Sequence, residues 1–186
     1  MRTSMKGLIA LTLLSAAVPA FADEGESSSD FTVSGTATVV SDYRFRGISQ
    51  TDKDFTVQGS LSISHSSGLY ASVWGSGIDD YVAAGGDTEL DLVVGFSKEV
   101  ATGTTIDVGV LYYWYPGAGK GLASYDSDFV EPYASIKHEF GPATAKLSVA
   151  YAPSQSALSV DAGNEDNLYL AGDLSVGIPN TPFSLS

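Results

Sequence analysis

The sequence predicts an all-β fold: a transmembrane antiparallel up-and-down β-barrel with eight strands and the start of a ninth. Three observations carry that expectation. Apolar and polar residues alternate with period two from residue 31 onward. Long links between the alternating segments succeed short ones without exception, and an export signal precedes them all.

The export signal comes first. Arg2 and Lys6 flank the start, residues 7–18 are apolar, and Pro19 leads into Ala20-Phe21-Ala22. That order fits signal-peptidase cleavage before Asp23. The apolar run is too short for a bilayer core, whose crossing takes roughly 20 residues. Residues 1–22 are therefore read as a signal peptide for Sec-type export, residues 23–30 (DEGESSSD) as a disordered acidic leader, and residues 31–186 as the barrel domain.

Eight segments follow with strand periodicity, at 31–40, 55–64, 69–77, 87–98, 104–115, 128–140, 143–151 and 166–177. In the fourth, Leu90, Leu92, Val94 and Phe96 oppose Glu89, Asp91 and Ser97; in the fifth, Ile106, Val108, Val110, Tyr112 and Trp114 oppose Thr105, Asp107, Gly109 and Tyr113. No window shows helical spacing of three and four. The long links are 41–54, 79–86, 116–127 and 152–165. The short ones, near 65–68, 99–103, 141–142 and 178–182, hold turn pairs such as Ser67-Gly68 and Gly141-Pro142. Long loops at one end and tight turns at the other are the signature of an outer-membrane barrel. Aromatics at strand ends, Tyr112 to Tyr115 above all, fit an interfacial girdle. Residues 182–186 read as a ninth strand cut short, so the barrel is expected to be incomplete at its C-terminus, because bacterial single-chain barrels use even strand numbers.

Composition narrows the function. The chain has 186 residues, no cysteine and a formal net charge of −13, which falls to −15 once Arg2 and Lys6 leave with the signal. A polyanion of this kind does not bind nucleic acid. Thiolate metal centres and cysteine nucleophiles are excluded. An acyl-transfer enzyme would need a histidine base beside a nucleophile or acid. The two histidines, His65 and His138, instead each precede a short turn. No catalytic residue, metal site or cofactor is expected. The acidic groups Asp126 with Asp128 and Asn164-Glu165-Asp166 lack calcium-loop spacing and read as solvated outer loops.

Two sets of charged residues are site candidates. Arg44 and Arg46, two apart in an extended run, would point the same way into the mouth and meet Asp79 or Asp80, forming a charged constriction. With the apolar face toward lipid, the lumen collects Glu89, Asp91, Asp107, Glu131, Lys137, Lys146 and Asp173. Five carboxylates against two lysines predict a preference for cations.

The run Ser41-Asp42-Tyr43-Arg44-Phe45-Arg46-Gly47-Ile48-Ser49-Gln50-Thr51 is distinctive. Together with Gln58-Gly59 and Ser67-Gly68-Leu69-Tyr70-Ala71-Ser72-Val73-Trp74-Gly75-Ser76, it closely resembles the TorF family of proteobacterial porins. The motif block covers residues 31–78. It departs from the family at Phe55-Thr56-Val57, where a proline-containing segment is expected. The resemblance implies an outer-membrane barrel passing small polar solutes, in contact with lipid and lipopolysaccharide and placed there by the barrel insertion machinery. The competing reading is a structural barrel whose lumen is filled by side chains and conducts nothing.

Overall fold

The computed structural model describes residues 29–119, 127–160, 163–177 and 184–185. The expected signal peptide, most of the acidic leader and the short link at 178–182 lie outside them.

Eleven strands follow one another: β1 (Phe31–Val40), β2 (Arg44–Phe45), β3 (Ile48–Ser49), β4 (Thr56–His65), β5 (Leu69–Gly77), β6 (Thr88–Ala101), β7 (Thr104–Trp114), β8 (Phe129–Phe140), β9 (Ala143–Val160), β10 (Gly163–Gly177) and β11 (Ser184–Leu185). Eight long strands form one antiparallel sheet in the order β1-β4-β5-β6-β7-β8-β9-β10, and the two-residue β11 extends it through Val176 opposite Leu185. Strands β2 and β3 make a separate hairpin inside the link from β1 to β4. The sheet has two free edges, β1 and β11, so the ring of the barrel prediction is not closed among the described residues.

The sheet is nevertheless strongly curved. The β2–β3 link touches Glu89 on β6, Glu131 on β8 and Asn167 on β10. In a flat sheet β4 and β10 would stand six spacings apart, about 29 Å. The wall therefore wraps around this link.

Its two faces reverse the usual partition of side chains. Val94 and Leu170 on the outer face are 61% and 70% exposed, whereas Glu89 and Glu131 on the inner face are 1% and 2% exposed. Phe31, Val33, Leu61, Ile63, Leu92, Val108, Ile136, Leu147, Leu168 and Leu174 continue the outer apolar band. The inner face of β1, β4 and β5 is instead a field of small hydroxyls, with Thr36 Oγ1 and Ser60 Oγ bonded at 2.7 Å.

Strand bounds match the sequence reading closely except at the fourth long link. Residues 152–160 extend β9 and residues 163–165 open β10, so most of the expected long loop is strand. Pro153 signals a loop because it has no backbone donor to give a neighbour. Gln155 supplies the missing pairing. Its Oε1 accepts from Val130 N at 2.8 Å and its Nε2 donates to Val130 O at 2.9 Å, so a side-chain amide stands where a peptide group would pair with β8. Strand β4 begins at Thr56, leaving Phe55 outside it.

Candidate functional site

The site is built on the link between β1 and β4. Its tip is a two-residue turn with Arg46 at φ 49° and Gly47 at φ 87°, the positive-φ pair that matches hairpin twist. Gly47 takes this conformation freely, whereas Arg46 does so at a steric cost. Arg44 lies on the strand and Arg46 in the turn itself, between Phe45 and Ile48, so the two arginines do not point the same way as an extended run would require. Arg44, half-exposed, turns back on its own loop: its Nε pairs with Asp42 Oδ2 at 2.7 Å and its Nη1 donates to Gly47 O at 2.9 Å.

Arg46 instead crosses to the opposite wall. Its Nη2 donates to Glu131 Oε1 at 2.6 Å and to Oε2 at 2.7 Å, and its Nη1 to Asn167 Oδ1 at 3.3 Å. The guanidinium carbon lies 4.1 Å from the Tyr169 ring centroid and 4.7 Å from that of Phe45, within cation–π range. Tyr113 Oη donates to Glu131 Oε2 at 3.1 Å. The Tyr113 ring stacks on Phe129 at 4.1 Å and takes the Phe45 ring edge-on at 5.6 Å. A cation, a carboxylate and four rings thus fill one side of the concave face.

On the other side, Tyr43 Oη donates to Glu89 Oε1 at 3.1 Å while its ring meets Trp74 edge-on at 5.2 Å. Burial first, and the Glu89 carboxylate second, push the Tyr43 hydroxyl above its ordinary range; Tyr115 is raised by the same two causes. Both remain neutral donors. Asp42 moves the other way, because the Ser49 hydroxyl donates to it at 2.6 Å and Arg44 lies beside it.

Asp79 and Asp80 are not partners of either arginine. Asp79 N donates to Gln50 O at 2.7 Å, tying the β5–β6 link to the first one, and Asp80 is exposed with its carbonyl accepting from Gly85 N. Tyr81 Oη adds a second tie to Ser49 O at 2.5 Å.

The seven inner-wall candidates all lie on the concave face but at two levels. Glu89, Asp91 and Glu131 sit beside the folded-in link, and Asp91 Oδ1 is buried without a hydrogen-bond partner. Asp107, Lys137, Lys146 and Asp173 sit toward the short turns, where Lys146 lies opposite both Lys137 and Asp173 in register. Lys137 pairs with Glu139 at 2.9 Å. Asp107 accepts from Tyr70 Oη at 2.8 Å, and the hydroxyls of Tyr70 and Tyr133 meet each other. These two tyrosines frame one cross-strand row, Tyr70, Gly95, Gly109, Tyr133, in which their rings lie over the glycines.

Sequence reasoning missed Tyr43, Asn167 and Tyr115 as site residues, and it put Tyr113 on the polar face without giving it a role there. The run from Tyr112 to Tyr115 reads as one girdle, but strict alternation splits it: Tyr112 and Trp114 face out, while Tyr113 is only 4% exposed. The signal was present in the parity with Asp107 and Gly109. Asp128 and Asp166 each accept from an outward tyrosine, Tyr112 at 2.9 Å and Tyr151 at 3.0 Å; Asp126 lies outside the described residues. Among the described residues no three acidic, histidine or cysteine groups are arranged to hold a metal ion.

No curated protein and no solved structure matches the chain. A family described as "Bacterial protein of unknown function (Gcw_chp)" matches residues 24–186. The curved antiparallel sheet with its folded-in first link is thus the architecture of a chain that belongs to the bacterial Gcw_chp family.

Proposed function

We propose that this chain is an outer-membrane, porin-like barrel wall whose concave face lines a path for small polar solutes, narrowed by the β2–β3 hairpin and preferring cations. The observation that carries this reading is the inversion of the two faces: an exposed apolar band outside, and buried carboxylates, tyrosines and hydroxyls inside. An apolar exterior needs lipid, and a polar interior needs water or solute. The TorF-like motif supports the same reading, because its Arg-Phe-Arg-Gly segment is the hairpin that enters the interior. Three inner-wall carboxylates, Glu89, Asp91 and Glu131, stand at the level of the hairpin against one inward guanidinium, that of Arg46, an acidic balance that favours cations.

The test is conductance of the full-length protein in a planar bilayer under a KCl gradient. A cation-selective reversal potential that weakens in Glu89→Gln/Asp91→Asn is expected. Silence in both wild type and Arg46→Ala would favour the filled, structural barrel, for which the Tyr70–Tyr133 bridge toward the short turns is the specific supporting observation.

A further inference from the structure

Among the described residues the outer face carries ionisable side chains only at its margins, and the two margins differ in sign. At the long-loop end, Asp128 and Asp166 are held by outward tyrosines. At the short-turn end, alternation places His65, Lys98 and His138 on the outer face, and Asp30, Glu99 and Glu139 on the inner parity.

The β4–β5 turn gathers two of the bases into one cluster. Lys98 is exposed, and its Nζ reaches Ser66 O and Ser67 O at 3.4 Å each, with no carboxylate in ion-pair range among the described residues. Ser67 N donates to His65 Nδ1 at 3.1 Å. The Nδ1 atom is thus an acceptor, which leaves the proton of the neutral ring on Nε2 as a free donor. The nearby acids are engaged: Asp30 accepts from the Ser66 hydroxyl at 3.0 Å, and Glu99 from Gly103 N at 2.8 Å.

Directly above this cluster the outer surface is grooved. A depression of about 430 Å³ is bordered by Phe31, Ile63, His65 and Leu69 with Ala71 as its floor. A second of about 370 Å³ continues it between Val33, Leu61 and Val73, again over Ala71. The small side chain of Ala71 amid larger apolar neighbours makes the channel. Phe31 closes its lower end by packing on the His65 ring at 4.8 Å.

A cationic and hydrogen-bond-donating head joined to an apolar channel has the shape of one amphiphile. We propose that Lys98 and His65 dock the phosphate of an anionic glycerophospholipid in the turn-side leaflet, with one acyl chain lying in the groove over Ala71. This rests on the reading of the outer band as lipid-facing. The larger outer groove, about 670 Å³ over Ala134 and Gly172, has no basic side chain on its border, whereas His65 borders the smaller one and the Lys98 ammonium reaches the two residues that follow His65.

The test uses the full chain in nanodiscs of phosphatidylcholine alone, and of equal parts phosphatidylcholine and phosphatidylglycerol, with retained lipid counted by native mass spectrometry. Wild type should retain phosphatidylglycerol over phosphatidylcholine. Lys98→Ala should weaken that preference about fivefold, the worth of one lysine at an anionic surface. Ala71→Phe should expel the lipid by filling the groove, while Lys53→Ala at the opposite end should change nothing. Heat-modifiable gel mobility confirms that each variant is folded. Equal retention of the two lipids by inserted wild type, or an unchanged preference in Lys98→Ala, overturns the proposal and leaves the barrel reading intact. Failure of wild type to enter nanodiscs overturns both.

Discussion

Arg46 and Glu131 lie 85 positions apart in the chain, yet one guanidinium nitrogen donates to both oxygens of that carboxylate, at 2.6 and 2.7 Å. The Glu131 side chain is 3% exposed and that of Arg46 20%. Removing the arginine leaves a buried charge with Tyr113 as its remaining hydrogen-bond donor among the described residues.

Arg46→Ala should therefore destabilise the fold by about 3–5 kcal/mol, the usual result of breaking one side of a buried pair. Arg46→Ala/Glu131→Gln should recover part of that loss, because the orphaned charge goes too. Heat-modifiable mobility in detergent measures both. In the bilayer each variant should conduct more than wild type, since the hairpin has lost its anchor.

The row Tyr70, Gly95, Gly109, Tyr133 makes a prediction that separates its two glycines. A methyl on Gly95 would have three atoms of the Tyr70 side chain as its nearest neighbours, Cζ at 2.6 Å first, whereas one on Gly109 would also lie 2.7 Å from the Val94 carbonyl oxygen. Gly95→Ala should cost about 1–3 kcal/mol, as overpacking generally does. Tyr70→Ala should restore much of it. Tyr133→Ala should fail to rescue Gly109→Ala, because backbone still stands in the way. Denaturation midpoints of the single and double variants decide the matter.

The first link should respond to acid through Asp42. Its carboxyl is held below the usual range by the Ser49 hydroxyl and by Arg44. A depressed carboxylate contributes stability that is present above its unfolded value, about 3.9, and is lost as pH falls through the folded one. The backbone amides of the link should keep their protection from hydrogen exchange from neutral pH down to about pH 4 and lose it below. Ser49→Ala, which removes the largest cause of the depression, should move that loss to higher pH.

Charge placed on the two faces should have opposite outcomes. Val94 is 61% exposed on the outer band, and an arginine there faces lipid at a cost of about 2–4 kcal/mol near mid-membrane. Val94→Arg should prevent insertion into vesicles, while Ser72→Arg on the hydroxyl-lined inner face of β5 should insert normally. A reversal of that order would remove the basis for reading the outer band as lipid-facing.

The strands were legible because period-two alternation is local. The bounds of β1 and β5 agree with the sequence reading to the residue. The upper part of β9 was not, because Pro153 denies the ordinary pairing and the amide of Gln155 replaces it, a substitution visible only once β8 lies alongside. The inner position of Glu89 and Glu131 followed from parity alone. The partners of Arg46 did not, since a left-handed residue at a hairpin tip sends its side chain where no extended pattern points. Asp79 was a reasonable electrostatic choice, yet its backbone, not its carboxylate, meets the first link.

The folded-in hairpin also imposes an order of events. It hangs between β1 and β4, the first two long strands to leave the ribosome, whereas its anchors Glu131 and Asn167 come 85 and 121 residues after Arg46. Its ties to Glu89, Asp79 and Tyr81 need only β5 and β6, but the Arg46 anchor cannot form until β8 and β10 have joined the wall. Docking of that anchor is thus a late event that reports, from inside, that the surrounding strands have been assembled in register.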